Sequence, residues 1–254
     1  MARDSFTNAF RPNAELVTLI REARSEFAIS LVQLGHLNYV SVHIRRGDRL
    51  GMSWKYHTSH VPVEKFAAAA QATWERLNLT NWNSNQPAFY VASDSPSVQD
   101  EFISNFPAET SIYSLSLSGK PKLRALASPK PYVQSEFDQM AAEDRIRLTK
   151  GMIIDFAMLS GIWNNITPAA TVCGLRWVIY ADTSISTMTM CFDSSNICRL
   201  SALGFGWEGA FGDLEAEIDD EKKKWVEIDN AGQISPVWEA FEVFPWDFMF
   251  TTRY

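Results

Sequence analysis

The spacing of apolar residues changes period several times along the chain, and each change marks an element. Between Pro12 and Leu34, the set Leu16, Leu19, Ile20, Ala23, Phe27 and Leu31 recurs at helical spacing, which predicts a helix after Asn13. Asn38 to Arg45 is short, apolar and β-branched, the signature of a buried strand. Pro62 opens a helix through Phe66, Ala69, Ala70, Trp74 and Leu77, ending near Asn78. A polar loop, 81–87, leads to the strand Ala88–Ala92. Ser93-Asp94-Ser95-Pro96 then closes the strand and starts a helix that runs to about Asn105. Ser111–Leu115 is a third strand. Residues 118–133, rich in Pro, Ser and Lys, read as an exposed loop. Ser135 to Leu159 reads as one long helix on Phe137, Met140, Ile146, Met152, Ile153 and Phe156. Thr171 begins another strand, and 194–203 reads as a capped helix. Strand and helix in alternation predict an α/β fold, a Rossmann-like parallel sheet with helices on both faces.

Composition narrows this picture. The 254 residues, 46% hydrophobic and 21% charged, are expected to form a single α/β domain, 1–254, with an irregular charged and aromatic region at 207–254. A net charge of −7 argues against nucleic acid as a partner, since a phosphate backbone calls for a basic face. No apolar run is long enough to span a membrane, and the first residues lack the apolar core of a signal peptide. Cys173, Cys191 and Cys198 match neither a disulfide framework nor a paired metal motif, and His36, His43, His57 and His60 are too dispersed for a zinc site.

Against the acidic background, Arg45, Arg46 and Arg49 fall within five residues directly after a strand. In an open α/β sheet, ligands sit beyond the carboxyl ends of the strands. Guanidinium groups fit phosphate oxygens as a planar fork, and Gly47 allows a tight turn or close ligand approach. The run therefore reads as an anion site for a diphosphate; its plain alternative is a solvated basic turn. Arg46-Gly47-Asp48 also spells an adhesion tripeptide, too short to carry weight beside the longer motif.

Three stretches occur together in order: Val42-His43-Ile44-Arg45-Arg46-Gly47-Asp48-Arg49-Leu50-Gly51, then Phe89-Tyr90-Val91-Ala92-Ser93-Asp94-Ser95-Pro96-Ser97, then Asp155 to Ser160 with Cys173-Gly174 and Ser194 to Arg199. This set resembles the shared motifs of the GDP-fucose-dependent fucosyltransferases, the α1,6 and protein O-fucosyltransferase superfamily, over about 38–206. The likeness is to the nucleotide-binding half of a GT-B glycosyltransferase. It implies that His43 and Asp155 flank guanine, whose adjacent donors suit a carboxylate. It implies that Arg45, with Arg46, holds the β-phosphate, and that Ser194, Ser195 and Asn196 meet phosphate oxygens at a helix start. Asp94 matches the family's acidic position after the second strand. The reaction implied is inverting, metal-independent transfer of fucose from GDP-fucose to a glycan or protein hydroxyl, with no cofactor, in the Golgi or ER lumen. Asn78-Leu79-Thr80 and Asn165-Ile166-Thr167 are glycosylation sequons that would be read there.

Two departures follow. Ser53 stands where relatives have a glutamate base, leaving Asp48, Asp94 or His57 for that role. The Cys173–Cys198 pair that the family would bridge is separated by an insert, 175–192, which reads as translated intron sequence. The alternative is a truncated or degenerate relative that binds a GDP-sugar, or nothing, and is inactive.

Overall fold

All five residues of β1 (Val40–Ile44) are buried, as a strand must be when helices cover both faces of a parallel sheet. The computed structural model describes residues 2–33, 38–47, 62–77, 86–163, 170–173, 196–201, 204–205, 210 and 224–227. Within them, β1 is the centre of a five-stranded sheet of order β3-β2-β1-β4-β5. Its partners are β2 (Ala88–Ser93), β3 (Ser111–Tyr113), β4 (Ala170–Cys173) and β5 (Trp225–Glu227). Every pairing is parallel, and His43 sits in register with Ala92 on one side and Cys173 on the other. The α/β Rossmann-like architecture expected from the alternation is the fold of the chain.

The alternation of side chains along β2 shows how the two helix layers are held. Phe89 packs edge-on against Trp74 of α3 (Val63–Arg76) and Phe102 of α4 (Pro96–Ile103). Tyr90, pointing the other way, meets Phe27 of α2 (Ala14–Gln33), which also stacks on Tyr113 with ring centroids 5.1 Å apart. Each such buried ring contributes on the order of 2–3 kcal/mol through the area it removes from water. The helix start expected after Asn13 is present: the Asn13 side chain accepts the Leu16 N–H at 2.9 Å.

α7 (Ala142–Ser160) crosses β1 and β2 and packs on α2. Three carbonyls of its last turn, Ala157, Met158 and Leu159, accept hydrogen bonds from the layer below. Arg24 Nη2 donates to the Ala157 and Ile162 carbonyls, the Tyr39 hydroxyl to Met158, and Ser41 Oγ to Leu159. Gly161, at φ 65°, ends the helix in the left-handed conformation. Burial pushes the Arg24 guanidinium down to about 10, still charged at neutral pH.

Several expectations are corrected. The helix expected over Ser135–Leu159 is two, α6 (Gln134–Gln139) and α7, because Met140 and Ala141 take extended backbone. Residues 118–133 are not simply an exposed loop. They hold the short helix α5 (Pro121–Arg124), and Leu123 and Leu126 are buried. Gly151 of α7 sits so close to this segment that an added Cβ would lie 2.1 Å from the Leu126 carbonyl oxygen. The third strand ends at Tyr113, followed by a 3-10 turn, Leu115–Leu117. α1 (Ala2–Ala9) was not expected, and Phe6 on it meets Phe10, Phe156 and Trp163. β5 lies inside the region expected to be irregular. No helix of the described residues is long and apolar enough to cross a membrane.

Candidate functional site

Two strands release their chains side by side here: β1 into Arg45-Arg46-Gly47 and β2 into Asp94. Parallel pairing puts Ile44 opposite Ser93, so the turn after one strand faces the turn after the other. Asp94 ties them together. Its Oδ1 accepts the Arg46 N–H at 2.7 Å, its Oδ2 lies 3.6 Å from Arg45 Nε, and its carbonyl accepts the Tyr132 N–H at 3.0 Å. Gly47 completes the knot at φ 37°, where a Cβ would come within 2.4 Å of the Tyr132 carbonyl oxygen and 2.6 Å of Asp94 Oδ2. The close approach expected of Gly47 is thus to the protein's own backbone.

The two arginines part at this turn. Arg45 lies over the Tyr132 ring, with Cζ 5.0 Å from its centre. Arg46 turns away toward α4, where Nη2 is 3.7 Å from Glu101 Oε2.

Asp155 enters from the middle of α7. Its Oδ1 accepts the Tyr90 hydroxyl at 2.5 Å. Burial pushes the carboxyl up from 3.8 to about 7, although the Tyr90 hydrogen bond acts in the opposite sense. Burial likewise drives the Tyr90 hydroxyl far above its ordinary value, with the Asp155 charge adding to the effect.

Of these residues, Arg45, Asp94, Tyr132 and Asp155 share one cavity of about 310 Å³. Its polar side is His43, Arg45, Ser93, Asp94 and Asp155, and its apolar side is Leu126, Phe137, Leu148, Met152 and Ile197. It opens at the carboxyl end of β1, the strand from which the sheet order runs outward in both directions, where doubly wound folds bind their ligands. A cavity with one apolar wall and a few convergent polar groups suits a flat, partly polar ring carrying an anionic group.

Of the residues singled out in the sequence, His43, Arg45, Asp94 and Asp155 come together here, although Asp155 is more than sixty positions from Asp94. His43 is only 5% exposed. Arg46 is not among the residues lining the cavity. Asn196 is the first residue of α8 (Asn196–Ser201), and its neighbour Ile197 reaches the cavity. Asp48, Ser53, His57, Ser194, Ser195 and the segment 175–192 lie outside the described residues. Cys173 ends β4 and Cys198 lies in α8, but their side chains, and so the expected pairing, also fall outside that description. Sequence reasoning missed Tyr90, Leu126, Tyr132 and Phe137. An aromatic pair beside the buried positions of the 118–137 stretch is the one signal that could have drawn attention to its wall-forming role.

No protein-family model matches the chain, and no curated protein matches it.

Proposed function

We propose that the cavity is a GDP-sugar site and that the chain is a fucosyltransferase-like glycosyltransferase of the GT-B kind, acting from GDP-fucose on a hydroxyl acceptor. The observation that carries this reading is the convergence of Arg45, Asp155 and His43 in one cavity at the end of β1. Guanine offers N1–H and an amino group side by side, and the Asp155 carboxylate accepts both once ionised. Arg45 faces the diphosphate. In transfer, the bond from fucose C1 to the β-phosphate oxygen breaks, and GDP leaves with the electron pair. An acceptor hydroxyl oxygen bonds to C1 from the opposite face, and its proton passes to a base. Arg45 stabilises the charge growing on the departing phosphate, a contribution of about 2–4 kcal/mol for one well-placed donor. Arg46, paired with Glu101, supports the turn.

A second reading, binding without transfer, has one observation in its favour. Asp94 is occupied by the Arg46 N–H and by Arg45, so it is poorly placed to take a proton. The base then falls to Asp48 or His57. Turnover of GDP-fucose with Arg45→Ala and Arg45→Lys decides between the readings. Transfer lost in Arg45→Ala and little restored by lysine supports transfer with bidentate phosphate recognition. A lysine variant of full activity contradicts that recognition, and GDP binding without any turnover establishes the second reading.

A further inference from the structure

We infer that Tyr132 is a positioning residue for Arg45, so that the segment between β3 and α7 sets the geometry of the anion-binding end of the cavity. The inference rests on the proposed nucleotide site and adds to it a residue from a stretch whose composition suggests only a surface loop. Three contacts carry it. The Arg45 guanidinium carbon lies 5.0 Å from the Tyr132 ring centre. The Tyr132 N–H donates to the Asp94 carbonyl at 3.0 Å, and the Asp94 side chain in turn holds the Arg46 N–H and approaches Arg45 Nε. The Tyr132 carbonyl abuts Gly47, where no Cβ fits. The ring and its own backbone are therefore fixed to the same turn that bears Arg45.

An aromatic ring engages the face of a guanidinium, whereas an anion binds along its N–H edge. Tyr132 can thus aim Arg45 without competing with phosphate. Its hydroxyl donates to Gln134 at 2.5 Å and takes no part in this. The Phe137 ring centroid lies 5.6 Å from that of Tyr132, and Phe137 also lines the cavity, so the Tyr132 ring packs against a second aromatic.

The test compares Tyr132→Leu with Tyr132→Phe in the full chain. Tyr132→Leu should weaken GDP about 5- to 30-fold, the span of a partly desolvated cation–π contact. Guanosine, which lacks the diphosphate, should bind with unchanged affinity in an NMR titration, showing that the cavity is intact. Tyr132→Phe keeps the ring face and should recover most of the GDP affinity. Independently of any ligand, the Arg45 Nε–H resonance, assigned by its loss in Arg45→Lys, should carry an upfield ring-current shift. Leucine should abolish that shift and phenylalanine retain it. A leucine variant that loses GDP and guanosine equally, or neither, overturns the inference. So does an Arg45 resonance that leucine leaves unmoved. If the wild-type chain binds no GDP, the nucleotide reading fails, while the ring-current shift still decides whether Tyr132 holds Arg45.

Discussion

Replacing Gly47 with alanine should damage the knot between β1, β2 and the 118–137 segment in two separable ways. At φ 37° the residue occupies left-handed backbone, which costs an L-residue about 1–2 kcal/mol. The new Cβ would also lie 2.4 Å from the Tyr132 carbonyl oxygen and 2.6 Å from Asp94 Oδ2. The first contact is with backbone and cannot be relieved by turning a side chain. Forcing extra volume into so tight a place adds about 1–3 kcal/mol. Together the loss should reach about 2–5 kcal/mol, and at a urea dependence of about 2–3 kcal/mol per molar the unfolding midpoint should fall by roughly 1–2 M. Gly119→Ala is the control. There the nearest atom to an added Cβ is a Glu26 carboxylate oxygen at 3.3 Å, a side-chain atom with no backbone in the way, and the backbone is not left-handed. Its midpoint should move little. Equal stability of Gly47→Ala and wild type would refute the turn geometry and, with it, the placement of Arg45.

Other outcomes follow from the same contacts. Folding raises the Asp155 pKa from 3.8 toward about 7, so between those values the folded chain keeps a proton that the unfolded chain releases. Wild-type stability should therefore decline as pH rises through that window; Asp155→Asn should remove the decline in melting temperature while its amide oxygen still accepts the Tyr90 hydroxyl. GDP, which requires the ionised carboxylate, should bind about tenfold more weakly at pH 6 than at pH 8, and calorimetry on Asp155→Asn should lose that dependence. Arg46→Ala should cost no more than about 1 kcal/mol in denaturant unfolding, since its partner Glu101 is exposed, and should weaken GDP far less than Arg45→Ala does. The reverse order would exchange the roles of the two arginines. Gly151→Ala should separate α7 from the Leu126 carbonyl and destabilise the chain by about 2–3 kcal/mol in the same assay.

The sheet was legible because its strands are short apolar runs bounded by Pro, Asn and Ser, and because parallel strands are buried on both faces. Val40–Ile44 and Ala88–Ser93 fall within a residue or two of their expected limits. The break at Met140 and Ala141 was not legible: both residues tolerate a helix, and neither is a Gly or Pro that would mark the extended backbone found there. β5 was hidden because its three residues sit in a charged run with no period of their own. At the site, the charge on Arg45 and the carboxylate of Asp155 were readable as chemistry. Which arginine faces inward was not, since adjacent residues leave a strand on opposite sides and their partners, Asp94 and Tyr132 for Arg45 and Glu101 for Arg46, are distant in sequence. Tyr132 was unreadable for a related reason: its place depends on a hydrogen bond to Asp94, formed across the fold.

The central claim is a guanine-nucleotide site built on Asp155, His43 and Arg45. Titration calorimetry of the purified chain with GDP, ADP and UDP at pH 8 tests it most directly. GDP should bind more tightly than either of the others, because only guanine presents two adjacent donors to a carboxylate, and Asp155→Asn should erase the preference. Equal affinity for GDP and ADP would contradict the account.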